Sequence, residues 1–204
     1  MLTQFLAAAG VLAVLTLVPG PDMAVVTKRA VGSGWRDGLK TVGGITTGLL
    51  AWGGLTVIGL AAVLAASATA YAVVKLAGAG YLIFLGIQAL LRSRRGSAAQ
   101  PTTGAVPAGN AWRTGLVSNL LNPKIAVFYT GLLPTLAPSG LSPQVGMTAL
   151  VLVHAGLTLV WLGGYVLLLS KARGFFDRPA VRRATDRITG ALLIGFGLKV
   201  ATSQ

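Results

Sequence analysis

The chain has 204 residues, of which 54% are hydrophobic and 10% charged, against roughly a quarter charged in a typical soluble domain. Its mean hydropathy is +0.76 and its formal net charge is +13, with 17 Lys and Arg facing 4 acids. With no Cys, the composition excludes disulfides, thiol redox chemistry and Cys-ligated metal, and it predicts an all-α polytopic membrane protein.

A basic balance of this size is also the footprint of a nucleic-acid binder, but the placement of the charges argues against that partner. All but three of the Lys and Arg (Lys75, Lys124 and Lys199) fall in three loops that alternate with uncharged ones. That is the positive-inside pattern, and it sets the basic loops against anionic lipid on the cytoplasmic side. The N-terminal Met1-Leu2-Thr3-Gln4 lacks the positive region of a secretory signal, so no cleavable leader is expected.

The first apolar segment, residues 5–27, contains Pro19-Gly20-Pro21-Asp22. Two prolines remove two backbone donors and clash with the preceding turn. A carboxylate then follows among aliphatic residues, tolerable in hydrocarbon only if protein or a water-lined cavity receives it. The bland reading is an early helix end with Asp22 at the interface. Only about 15 apolar residues precede the motif, short for a span, and Met23 to Val26 continue it, which favours an intramembrane break.

A basic loop with Lys28, Arg29, Arg36 and Lys40 leads to segment two, residues 41–66, where Gly44 and Gly48 have the spacing that lets a neighbouring backbone approach. Glycine faces of this kind also leave room for a homodimer. Segment three covers residues 71–91, and residues 92–113 read as a basic polar linker with no chemistry of its own. Segment four, residues 114–137, carries Asn119, Asn122, Pro123 and Lys124 near its middle. A Pro kink with a snorkelling Lys is the plain alternative there, and an interhelical amide bond the plain one for Asn119.

Segment five, residues 145–170, holds the lone histidine, His154; it reads as a buried interhelical donor or, less simply, as a proton carrier. Trp52, Trp161 and Tyr165 read as packing or interfacial residues. Residues 171–187 are the most basic, and 180–187 suit a short helix lying on the lipid surface. Segment six, residues 188–201, is short. Both termini then lie outside.

The two halves resemble each other. Pro21-Asp22-Met23-Ala24-Val25-Val26 aligns with Pro123-Lys124-Ile125-Ala126-Val127-Phe128, Lys75 to Gly78 with Arg187 to Gly190, and Phe84 with Phe196. Three spans per half is an odd number, so the second copy enters the bilayer inverted, and substrate sits at the interface of the broken helices in folds of that type. The expected architecture is therefore six transmembrane helices as two inverted three-helix repeats, residues 1–91 and 114–204, joined by the linker 92–113, with helices 1 and 4 broken at their Pro motifs. Asp22 and Lys124, at matching positions with opposite charge, could bracket a zwitterion.

Pro19-Gly20-Pro21, Gly78-Ala79-Gly80-Tyr81-Leu82 with Leu85-Gly86, and Asn119-Leu120-Leu121-Asn122-Pro123-Lys124 together resemble the lysine exporter (LysE/RhtB) family over nearly the whole chain. The resemblance implies an exporter of amino acids or closely related small metabolites in the bacterial inner membrane, driven by the proton motive force, and it supports Gly20, Pro21, Asn122, Pro123 and Lys124. His154 matches no motif of the family. With no Glu and Asp22 the lone acid in the spans, a dibasic substrate would lack a partner for its second cation, which favours neutral amino acids.

The candidate substrate-binding residues are Pro19, Gly20, Pro21, Asp22, Asn119, Asn122, Pro123 and Lys124, with Asp22 and His154 as proton-coupling candidates. Alternating access would set Lys124 and the half-helix N-termini against a substrate carboxylate and Asp22 against its ammonium or a proton. No cofactor and no metal site are expected. The rival readings are efflux of metal cations or cationic compounds, which calls for more acids or ligating residues, and a membrane-embedded enzyme, which calls for a clustered nucleophile and base.

Overall fold

The computed structural model describes residues 2–66, 68–94, 109–176 and 179–202. Residues 95–108, most of the expected linker, lie outside the described residues, as do 67, 177 and 178. The described chain is helical: α1 (Leu2–Leu17), α2 (Pro21–Ser33), α3 (Trp35–Ala66), α4 (Ala68–Arg94), α5 (Ala111–Leu120), α6 (Pro123–Val127), α7 (Pro143–Phe176) and α8 (Pro179–Thr202). Among the described residues an isolated β-bridge joins Ser139 and Leu141.

The helices outrun the apolar segments. The basic loop expected from Lys28 is instead the end of α2, which runs to Ser33 and stops at Gly34, whose φ of 90° is open to glycine. α7 continues to Phe176, and α8 begins at Pro179 and absorbs the surface helix expected at 180–187. The reason is that hydropathy marks where the solvent changes, whereas Lys and Arg are good helix formers whose stems lie along apolar surface.

Among the described residues, Trp35–Gly59 and Pro143–Leu169 are long and apolar enough to cross a membrane; α1 and α2 together make a third candidate, bent by 51° at the Pro motif. Pro19 and Pro21 supply no N–H, and Gly20, with φ −157° and ψ −170°, is extended between the two helices. The second Pro motif breaks its helix as well. α5 ends at Leu120, the Asn122 side chain accepts from the Lys124 N–H, and Pro123 opens α6. A π turn (Phe128–Leu132) and a 3-10 turn (Leu133–Leu136) follow, as Pro134 cannot donate to a regular α-helix.

Two apolar cores flank the breaks. One joins Leu12 and Leu15 of α1 to Phe128, Tyr129, Leu150 and Val151; the other joins Val26 of α2 to Val42, Ile45, Leu162 and Val166. Close crossings hold the helices around them. A Cβ on Gly44 would meet the Trp112 carbonyl, and one on Gly115 the Thr41 carbonyl, so α3 and α5 touch backbone to backbone. On α4 and α8, Cβ atoms added to Gly86 and Gly190 would each lie 2.7 Å from the other's carbonyl oxygen.

Arg29, 3% exposed on α2, donates through Nη2 to the Gly109 carbonyl at 3.0 Å and to Thr114 Oγ1 at 2.7 Å. The end of α2 and the start of α5 thus lie side by side. Gln4 Oε1 accepts from the Ser139 N–H and Oγ, which brings the start of α1 to the uncharged link before α7.

Candidate functional site

The gap between the two cores is polar. Along α7, Leu150 and Val151 serve one core and Leu162 and Val166 the other, while His154 and Thr158 stand between them. Those two also flank the midpoint of the span Pro143–Leu169. A cavity of about 30 Å³ opens here, lined by Gly20, Asp22, Asn119, Lys124, His154 and Thr158 and by aliphatic side chains from both cores. It has room for about two waters, far less than an amino acid needs.

The two breaks exchange side chains. Asp22, in the first turn of α2, accepts from Ser118 Oγ at 2.9 Å and Asn119 Nδ2 at 2.8 Å, both in the last turn of α5, and from Asn122 Nδ2 at 3.0 Å, at the cap of α6. A carboxylate at a helix N-terminus with three donors is well held. Lys124 reaches the opposite way. Its Nζ donates to the carbonyls of Leu15 at 3.3 Å and Val18 at 3.2 Å, at the end of α1. Leu15's carbonyl would be served in an unbroken helix by residue 19, which is proline.

Asp22 and Lys124 line one cavity but do not pair with each other: the carboxylate is taken by amides and a hydroxyl, the ammonium by main chain. Gly20 makes room for the Lys124 arm, since a Cβ there would lie 3.3 Å from Nζ. Asn122 is buried and bonded to Asp22 without lining the cavity, while Pro19, Pro21 and Pro123 are exposed. The prolines therefore act through the backbone they interrupt.

His154 is buried, with Nδ1 3.1 Å from Tyr129 Oη and its ring against Phe128 and Tyr129. Its tie to Tyr129 depends on the π turn, which brings the two neighbouring aromatics Phe128 and Tyr129 inward together.

The sequence alone marks neither Thr16 and Ser118, which face each other in the repeat alignment, nor Thr158 and Tyr129 as site residues, and it gives no sign that Arg29 is buried. Ser118 was accessible in principle: it lies one helical turn before Asn122, hence on the same face. In the sequence Gly48 reads only as a packing residue. A Cβ on it would lie 2.6 Å from Asn119 Oδ1 and 2.8 Å from Asn119 Cβ, so Gly48→Ala displaces the amide from Asp22. We expect that substitution to lower transport about tenfold, in line with loss of one charge-assisted hydrogen bond. Gly54→Ala, where a Cβ meets nothing within 4 Å, should leave it unchanged.

A family model described as LysE type translocator matches residues 13–204. The chain is 30% identical over 214 residues to the Threonine efflux protein of Salmonella typhi, an alignment covering 100% of both chains. It is 29% identical over 216 residues to the Threonine efflux protein of Escherichia coli strain K12, again over 100% of both. The Leucine efflux protein of Salmonella choleraesuis is 25% identical over 193 residues, 93% of this chain and 91% of its own. No solved structure matches the chain significantly.

Proposed function

The chain belongs to the LysE type translocator family, and on that premise we propose that it exports amino acids, neutral ones such as threonine or leucine in particular. The observation that carries the reading is the reciprocal crossing of Asp22 and Lys124 between two broken helices, around one cavity between two apolar cores. It provides one acid, one cation and freed backbone groups at mid-span, a set complementary to a zwitterion. The reading is of a transporter rather than an enzyme.

The proposed architecture is six spans in two inverted three-helix repeats, residues 1–91 and 114–204. Several contacts support it. α3 packs on α5 and α7 packs on α1, which are corresponding pairs under the repeat. In the register that sets Gly78 on Gly190, the contacts Gly86–Gly190 and Ala79–Gly197 map onto each other to within one residue. The Arg29–Gly109 bond puts two basic stretches at one end of the bundle, and the Gln4–Ser139 bond puts the N-terminus at an uncharged link. With the basic end against the anionic inner leaflet, both termini of this inner-membrane protein face outward.

The proposed substrate site comprises Pro19, Gly20, Pro21, Asp22, Asn119, Asn122, Pro123 and Lys124, working by alternating access. The small cavity is then a closed state, and passage requires α2 to part from α5 or α1 from α6. Protons drive export, with Asp22 and His154 as the groups that carry them. The test is counterflow in vesicles reconstituted with the purified chain. Vesicles preloaded with unlabelled L-threonine or L-leucine should accumulate the labelled form well above protein-free vesicles. Absence of exchange for every neutral amino acid overturns the reading, and exchange confined to metal or organic cations replaces it.

A further inference from the structure

We propose that the carbonyls of Leu15 and Val18 form an ammonium-binding subsite, and that Lys124 occupies it as a tethered competitor which a substrate amine must displace. The inference rests on the exporter reading and assigns one half of the substrate to a place in the site.

The argument starts from the backbone. Pro19 removes the N–H that would have met the Leu15 carbonyl, and the extended Gly20 carries the chain away from Val18. α1 therefore ends in freed carbonyls within the span, at the negative pole of its helix dipole. Such an end calls for a cation with several donors. Lys124 supplies it from the other break, across 109 residues of sequence in the case of Leu15.

Its hold is loose. The two contacts measure 3.3 Å and 3.2 Å, whereas charge-assisted N–H···O bonds settle near ~2.8 Å. An ammonium has three donors and only two are spent here. An α-ammonium has the same charge and the same three donors, so it fits the same carbonyls and lies in the same cavity as the Asp22 carboxylate. Space points the same way. Withdrawal of the Lys124 arm adds the volume of its own alkyl chain to a cavity otherwise sized for about two waters. Opening the site and vacating the subsite become one event. The displaced ammonium is then left beside the substrate's carboxylate, so arrival of substrate is coupled to movement of α6 relative to α1.

The probe is L-threoninol, an amino alcohol that keeps the amine and has no carboxylate. In the full-length protein, Lys124→Met should bind threoninol about tenfold more tightly than the wild type, since no tethered ammonium has to leave. Unchanged or weaker threoninol binding would overturn the inference, whatever happens to L-threonine binding, with the exporter reading intact. A second measurement uses the wild type. Saturating threoninol should raise the rate of Lys124 acetylation by excess acetic anhydride at least threefold relative to the exposed Lys40 in the same sample, a ratio that cancels the reagent consumed by the probe's own amine, read by peptide mass spectrometry, because the arm has lost its carbonyls. An unchanged or lower rate overturns the inference. Wild-type vesicles that fail in counterflow while Lys124→Met gains threoninol affinity would retain the subsite and remove the amino-acid reading.

Discussion

Asp22→Asn should lower proton-driven export of threonine or leucine at least 100-fold while the protein still purifies as a monodisperse, helical species. The carboxylate accepts from Ser118, Asn119 and Asn122, and an asparagine of the same shape keeps at most one of its two oxygens as an acceptor. Its new amide group would face the amides of Asn119 or Asn122, donor against donor. Charge-assisted bonds are each worth about 1.5–3 kcal/mol, so losing one at the proposed substrate site corresponds to roughly 10–100-fold.

On the proposed proton-driven mechanism coupling suffers more, because Asp22 is the acid lining the cavity and an amide does not take up and release a proton. Two assays separate the roles. Uphill export under an imposed proton gradient reads coupling, and counterflow without a gradient reads binding and passage. Loss of both marks Asp22 as a substrate ligand, while loss of uphill export alone marks it as a proton carrier. Normal uphill export in the variant would falsify both assignments.

Gly115→Leu should prevent recovery of folded protein. The Gly115 Cα faces the Thr41 carbonyl, and the reciprocal Gly44 faces the Trp112 carbonyl and the Leu116 N–H, so neither helix has a flexible side chain to move aside. Overpacking in a dense interior costs about 1–3 kcal/mol when side chains can adjust. Here the neighbours are backbone, and the cost lies at or above the top of that range. The damage would reach the site, since Ser118, Asn119 and the α5 end hold Asp22. Thermal unfolding in detergent and gel-filtration profile check the expectation, with Gly54→Ala as the tolerated control. A variant that elutes and melts like the wild type would mean that the α3–α5 crossing is not tight.

The parts of the protein that were legible beforehand depended on local chemistry. Proline lacks an N–H wherever it occurs, so Pro19, Pro21 and Pro123 announce broken helices without any tertiary information. A lone acid and a lone cation beside those breaks are costly in hydrocarbon, and that cost singles out Asp22 and Lys124. Helix ends were less legible. Arg29 looks like loop charge, yet it is buried in α2 because its stem packs inward and its head finds Gly109 and Thr114. The same blindness hid the length of α7 and α8, whose ends pass through basic residues that hydropathy treats as boundaries.

By itself, the amino-acid sequence determined that the chain is a helical membrane protein with two interrupted helices and one opposed pair of charges between them. The tertiary structure decided who satisfies whom. Asp22 and Lys124 were free to pair with each other. Instead, each crosses to the other break, because hydrogen-bond donors at the end of α5 and orphan carbonyls at the end of α1 lie closer and would otherwise be buried without partners. The close approach at Gly44 and Gly115 makes this geometry available, and it arises between residues some seventy positions apart, beyond the reach of any local pattern.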